Sequence, residues 1–201
     1  MIVERNTAET RVRVELALTP GTVAVNSGIG FLDHLLAALA FHAGWSLDLV
    51  CRGDRTVDDH HSAEDCGLAL GQALAGELGT AGGRSRFGSA YAPLDDALAR
   101  AVVDWSGRPW ASVALGLVRP SIGELAAENV SHVLESMAMA GAFCLHVDVL
   151  KGRNDHHRAE AAFKAVALAF RDALAPSSVY VSAVPSSKGA VLAGIGPGGG
   201  V

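Results

Sequence analysis

The chain has 201 residues, 50% of them hydrophobic and 18% charged, enough apolar material for one sizeable core or two small ones sharing an interface, which excludes a disordered tail protein. Sixteen Lys and Arg against twenty-one Asp and Glu give a formal charge of −5 without a basic run, so nucleic acid is not an expected partner. Every apolar run is interrupted before the ~20 residues of a membrane span, while a charged share below the usual ~25% leaves too little polar surface for a lone monomer and predicts a homo-oligomer.

Strict alternation over Thr10 to Leu18, with Val12, Val14, Leu16 and Leu18 on one face, predicts a half-buried strand. Pro20-Gly21 then turns the chain into a second strand over Thr22 to Val25. Apolar residues at helical spacing from Gly28 onward predict a helix that stops near Ala43-Gly44. Ser46 to Cys51 alternates as a strand, and the Ala/Leu-rich stretch from His61 to Leu78 reads as a helix. After a glycine-rich break at Gly79 to Gly83 the order returns, with strands at Ala97 to Trp105 and Trp110 to Leu115, a helix from about Ala127 to Ala142, a strand at Leu145 to Leu150 and a helix from His157 to Leu174. The chain therefore divides into two strand-strand-helix-strand-helix halves, 1–92 and 93–190, expected to form one unit of two-layer α/β architecture. The glycine-rich tail, 191–201, is expected to be disordered. Cys51, Cys66 and Cys144 are odd in number and widely spaced, and the N-terminus has no export signal, which together predict reduced thiols and a cytoplasmic location.

The halves are most alike at His60-His-Ser-Ala-Glu64 and His156-His-Arg-Ala-Glu160, 96 residues apart, each preceded by a single histidine, His34 and His132. In a helix, residues i and i+4 share a face while the neighbouring residue turns away by roughly 100°. His60 can thus pair with Glu64 and His156 with Glu160, while His61 and His157 face elsewhere, so one motif can touch two ions. Six imidazoles and two carboxylates suffice to give each of two metals three nitrogens and one oxygen, with two octahedral positions open. Imidazole with carboxylate suits divalent Mn, Fe, Co, Ni or Zn, and the absence of Cys ligands argues against a structural zinc site. Asp58 and Asp155 lie near enough in sequence to orient the rings.

These motifs occur with Arg5-Asn-Thr-Ala-Glu-Thr10, Gly30-Phe-Leu-Asp-His34, Arg86-Phe-Gly, Ser106-Gly-Arg-Pro, Lys151-Gly-Arg-Asn-Asp and Ser186-Ser-Lys-Gly189. Over nearly its whole length the chain resembles the imidazoleglycerol-phosphate dehydratase family. The resemblance implies a duplicated fold like domain 2 of ribosomal protein S5, two Mn2+ ions per active site, and a 24-subunit shell with active sites between subunits. It also implies a small phosphorylated imidazole as substrate: D-erythro-imidazoleglycerol phosphate loses water to give imidazole acetol phosphate in histidine biosynthesis. Metal on the ring nitrogens would favour loss of the ring proton, so that the ring's electrons help expel the adjacent hydroxyl. No electrons change owner overall, so no nicotinamide or flavin is implied.

Matched residue by residue, the metal ligands are His34, His60, His61, Glu64, His132, His156, His157 and Glu160. Glu9 and His42 match catalytic residues at the substrate, Glu9 as the candidate for proton transfer at the carbon skeleton. Arg86, Arg108, Ser186 and Lys188 match the phosphate site, where guanidinium groups can bind a dianion bidentately, and Lys164 and Ser187 match positions beside the substrate. Ala38 stands where many members carry Gln, and Asp95 and Asp96 have no assigned role. The length implies a monofunctional enzyme without a fused phosphatase. A non-catalytic metal-storage shell and a dinuclear phosphohydrolase are the competing functions.

Overall fold

The fold, obtained as a computed structural model, describes residues 1–78 and 83–178. Alternation sets its inner and outer surfaces. Thr10, Val12, Val14 and Leu16 are buried on one side of a strand whose Arg11 and Glu15 are exposed, and Ala97, Ala99, Ala101 and Val103 repeat the pattern against exposed Arg100 and Val102. In chain order the first half comprises β1 (Ile2–Asn6), β2 (Thr10–Ala17), β3 (Val23–Asn26), α1 (Gly30–Ala43), β4 (Ser46–Gly53) and α2 (His60–Leu78). The second comprises β5 (Phe87–Leu94), β6 (Ala97–Asp104), β7 (Trp110–Ala114), the short pair β8 (Ser121–Ile122) and β9 (Leu125–Ala126), α3 (Ala127–Gly141), β10 (Cys144–Lys151) and α4 (Asp155–Ala173).

Each half builds a four-stranded sheet of the same topology, β1-β2-β4-β3 and β5-β6-β10-β7. In both, the third strand runs parallel to the strand that follows the first helix, and the other pairs are antiparallel. The duplicated α/β fold is therefore present, with one more strand at the start of each half than alternation reveals. The reason is position: β1 and β5 are edge strands. No residue of β1 is buried, and β5 contains Gly88 and Pro93, so neither carries the apolar rhythm of a central strand. Residue 92, the division read from sequence, falls inside β5, all of which pairs with β6. The tail 191–201 lies outside the described residues.

The helices meet across the halves, α1 on α4 and α2 on α3. Glycine sets the second contact: a Cβ on Gly67 would lie 2.6 Å from the Val133 carbonyl oxygen, and one on Gly71 2.4 Å from that of Met137. α4 approaches its sheet as closely, over the alanine face of β6 and over Gly88, where a Cβ would strike the Ala169 carbonyl. Trp45 of the first half packs on Phe170 of the second (5.4 Å between centroids), and Phe170 in turn contacts Trp105 and Phe143. Burying these rings joins the two halves into a continuous core. No helix among the described residues is long and apolar enough to cross a membrane.

Gly71→Ala tests the helix contact. The added methyl meets backbone on two sides, since Gly141 N would also lie 2.9 Å away, so the helices must separate at a cost of about 1–3 kcal/mol. The urea midpoint should fall accordingly, and an unchanged midpoint would mean that the α2–α3 spacing relaxes freely.

Candidate metal centre and active site

Helix starts place the histidines. The Asp58 carboxylate accepts the His60 backbone N–H at 2.8 Å, and Asn154, the N-cap of α4, accepts that of His156 at 2.9 Å. His60 thus becomes the first residue of α2 and His156 the second of α4, and each motif's Glu lies one turn further along the same face.

Two ligand sets result, each drawn from both halves. His34 of α1 joins His156 and Glu160 of α4, with His34 Nε2 at 2.8 Å and His156 Nε2 at 3.2 Å from Glu160 Oε2. His132 of α3 joins His60 and Glu64 of α2; the two rings stack at 4.9 Å, and His132 Nε2 lies 3.4 Å from Glu64 Oε1. Asn129 Oδ1 engages His60 Nδ1 at 3.0 Å, leaving Nε2 for the cluster. Within each set one donor atom per residue lies within 4.8 Å of the others, whereas ligands facing each other across an ion with ~2.1 Å bonds are roughly 4 Å apart. His132 Nε2 is buried and without a hydrogen-bond partner among the described residues, a deficit that a cation between it and Glu64 would remove. The donor sets fit divalent metal.

His61 and His157 stand outside both sets, as their position one residue along the helix requires. Asp54 holds His61 Nδ1 at 3.1 Å, and Asp96 holds His157 Nδ1 at 2.7 Å. The hydrogen bond that His61 donates to Asp54 pushes the His61 pKa up, and the one from His157 holds the Asp96 carboxyl well below its usual range. Asp58 and Asp155 do not orient rings: Asp58 accepts the His60 backbone N–H, and Asp155 accepts those of Val118 and Arg119. Asp54, Asp96 and Asn129 take that place instead. They escaped the sequence reading because their rings lie from 7 to 69 residues away, and no periodicity marks such contacts.

Glu9 lies in the β1–β2 turn with its carboxylate 3.7 Å from His61 Nε2, beside an open cleft of about 390 Å³ that includes Arg11, Arg52 and Asp54. Lys164 stands one turn beyond Glu160 and donates to its Oε1 at 2.6 Å. Burial alone would raise the Glu160 carboxyl, but the hydrogen bonds from Lys164 and His34 outweigh it and lower the pKa to about 2. Burial, followed by the Lys164 charge, lowers the pKa of His42, which the Glu160 charge opposes.

The arginines lie elsewhere. Arg86 N donates to the carbonyl of Ala173 at the far end of α4, seventeen residues or roughly 25 Å of helix beyond His156. There Asp104 grips its guanidinium through Nε at 2.6 Å and Nη2 at 3.1 Å, and Arg108 follows in the β6–β7 turn. Within one protomer Arg86 is therefore separated from the His34, His156 and Glu160 set by most of the length of α4. Ser186, Ser187 and Lys188 lie outside the described residues.

The model of a protein family described as imidazoleglycerol-phosphate dehydratase matches residues 27–170, which contain both histidine sets. The chain belongs to that family. It is 47% identical to the imidazoleglycerol-phosphate dehydratase of Saccharomyces cerevisiae, over 95% of this chain and 97% of the yeast protein. It is 54% identical to that of Neurospora crassa, over 90% and 83% of the two chains. Among solved structures, the dehydratase of Pyrococcus furiosus, crystallised in complex with (S)-C348, superposes with a TM-score of 0.80 at 33% identity, covering 94% of this chain and 99% of that one. The enzyme from Staphylococcus aureus gives 0.77 at 33% identity, over 88% and 99%. The chain is accordingly a hydro-lyase, a dehydratase of histidine biosynthesis with a small imidazole substrate.

The depressed Glu160 pKa has a measurable consequence in metal-free protein. Because the folded value of about 2 lies below the ordinary 4.5, the carboxylate contributes stability that is complete above about 4.5 and lost as pH falls through 2. Lys164→Met removes the largest lowering interaction, so acid unfolding should begin at higher pH. An unshifted acid midpoint would show that His34 alone holds the carboxylate charged.

Proposed function

We propose that the protein converts D-erythro-imidazoleglycerol phosphate to imidazole acetol phosphate, with two Mn2+ ions per site held by His34, His60, His61, Glu64, His132, His156, His157 and Glu160. The observation that carries this reading is the pair of equivalent His, His, Glu sets, each short of one imidazole, beside two further histidines of the same motifs that belong to neither. His61 and His157 supply the missing nitrogens when another copy of the chain presents them. The roughly 25 Å of helix between His156 and Arg86 argues for the same arrangement, because a substrate this small cannot span it within one protomer. Exposed apolar side chains, among them Phe41, Val118 and Trp110, give neighbouring copies something to bury. The assembly is thus a homo-oligomer with active sites between subunits, the 24-subunit shell of the family resemblance. The three free cysteines accord with the cytoplasm.

The chemistry a bound divalent ion supplies here is stabilisation of negative charge on the substrate's imidazole ring. Glu9, exposed at the mouth of the cleft, takes the proton from the carbon skeleton. His42, held neutral by its lowered pKa, accepts or returns a proton at the same substrate. Lys164 keeps Glu160 ionised and adds a cation beside the substrate. Arg86, fixed in orientation by Asp104, and Arg108 bind the phosphate with Ser186, Ser187 and Lys188. The two repeat halves act as one catalytic unit, since each ligand set draws on both.

Incubating the Mn-loaded protein with the phosphorylated imidazole diol should give the ketone; release of free phosphate would indicate a phosphohydrolase, and unchanged substrate a metal store. His60→Ala and His156→Ala should lose bound metal and activity together. Glu9→Gln should retain metal while turnover falls by about 10²-fold or more, and normal turnover would remove Glu9 from the proton transfer. Arg108→Ala should act mainly on KM, because a phosphate handle serves ground and transition states alike.

A further inference from the structure

We propose that Asp54 and Asp96 are equivalent positioning residues, one per half, that fix the tautomer of His61 and His157 so that each ring presents Nε2 to metal. The inference rests on the proposed ligand role of these two histidines and goes beyond it by naming the groups that aim them.

The geometry is the same in both halves although the carboxylates come from different places. In the first half Asp54 sits in the loop before α2, and both of its carboxylate oxygens lie 3.1 Å from His61 Nδ1. Its backbone N–H donates to the Glu9 carbonyl at 3.1 Å, tying the loop to the β1–β2 turn. In the second half the loop before α4 carries Arg153 and Asn154 instead, and the carboxylate arrives from the opposite partner, the β5–β6 turn. Asp96 Oδ1 accepts from His157 Nδ1 at 2.7 Å, and Oδ2 accepts the backbone N–H groups of Arg153 at 2.5 Å and Asn154 at 3.2 Å. Both halves thus staple the same turn to the same loop and place a carboxylate on the same nitrogen of the same motif histidine.

The far nitrogens match as well. His61 Nε2 faces the Glu9 carboxylate at 3.7 Å, and His157 Nε2 faces that of Asp95 at 3.5 Å. A carboxylate on Nδ1 draws the ring proton to that side, leaves the lone pair on Nε2 and makes it a better donor to a cation. The repeats no longer share the sequence position of this carboxylate, yet both retain the interaction. That convergence is expected of a functional constraint on the ring, because stapling the loop requires no carboxylate at Nδ1. Asp54 separates the two roles: its backbone does the stapling and its side chain serves the imidazole.

The test uses the full chain stripped of metal, titrated with Mn2+ against a competing chelator, and nitrogen NMR of the imidazoles in the metal-free state. Asp54→Ala and Asp96→Ala should each weaken Mn2+ binding by about 10–100-fold and shift the proton of the affected ring away from Nδ1. Asp54→Asn, whose amide oxygen still accepts, should lie between Asp54→Ala and the parent in both measurements. Wild-type Mn2+ affinity in both Ala variants, or an unchanged imidazole spectrum, would overturn the inference. His61→Ala and His157→Ala distinguish the underlying reading: if they bind the full complement of metal, the ligand assignment itself fails. If they lose metal while the Asp variants bind normally, the positioning role alone fails.

Discussion

The packing of α1 on α4 and of α2 on α3 is the constraint from which the candidate metal centre follows. Each pair crosses from one half to the other, so neither repeat by itself can assemble a His, His, Glu set. Gly67 and Gly71 allow α3 to approach α2 closely enough for its backbone to touch, and the stacked rings of His60 and His132 lie along the same helix contact. A Cβ at either glycine would strike the α3 backbone, so the two helices would have to separate. The site is therefore a product of helix spacing as much as of ligand identity.

Duplication explains why there are two such sets and why they are interchangeable in composition. The topologically equivalent helices α1 and α3 each contribute one histidine, while α2 and α4 each contribute a motif histidine and its Glu. The second motif histidine points about a quarter-turn away because of helical geometry, which leaves His61 and His157 facing the turns of their own sheets. Placed there, they lie outside their own chain's clusters. On the proposed reading, a protomer holds two incomplete ligand sets and a second copy of the chain completes them. If Arg86 binds the substrate's phosphate as proposed, the length of α4 between it and His156 requires the same division.

Electrostatics holds these parts in readiness. Glu160 remains ionised despite its burial because Lys164 and His34 both donate to it, and burial followed by the same lysine's charge lowers the pKa of His42. Arg86 is held by the Asp104 carboxylate across two hydrogen bonds, so its guanidinium plane has a fixed orientation before any anion arrives. Glu160 and Arg86 are thus each already paired with an opposite charge, which reduces the reorganisation required on binding.

The sequence by itself determined the central strands, the four helices, the repeat and the pairing of His60 with Glu64 and of His156 with Glu160, because each of these is local: alternation has a period of two, and one helical turn joins i to i+4. The edge strands β1 and β5 were less legible because an edge leaves most of its side chains in water and weakens the rhythm that marks a strand. Only the tertiary structure decided that His34 belongs with the second motif and His132 with the first, a crossing set by which helix packs on which. It alone placed Asp54, Asp96, Asn129 and Asp104 against their partners, and set Arg86 at the opposite end of α4 from the ligands. Such contacts depend on how separate elements come together in space, and the spacing of residues along a chain carries no record of that.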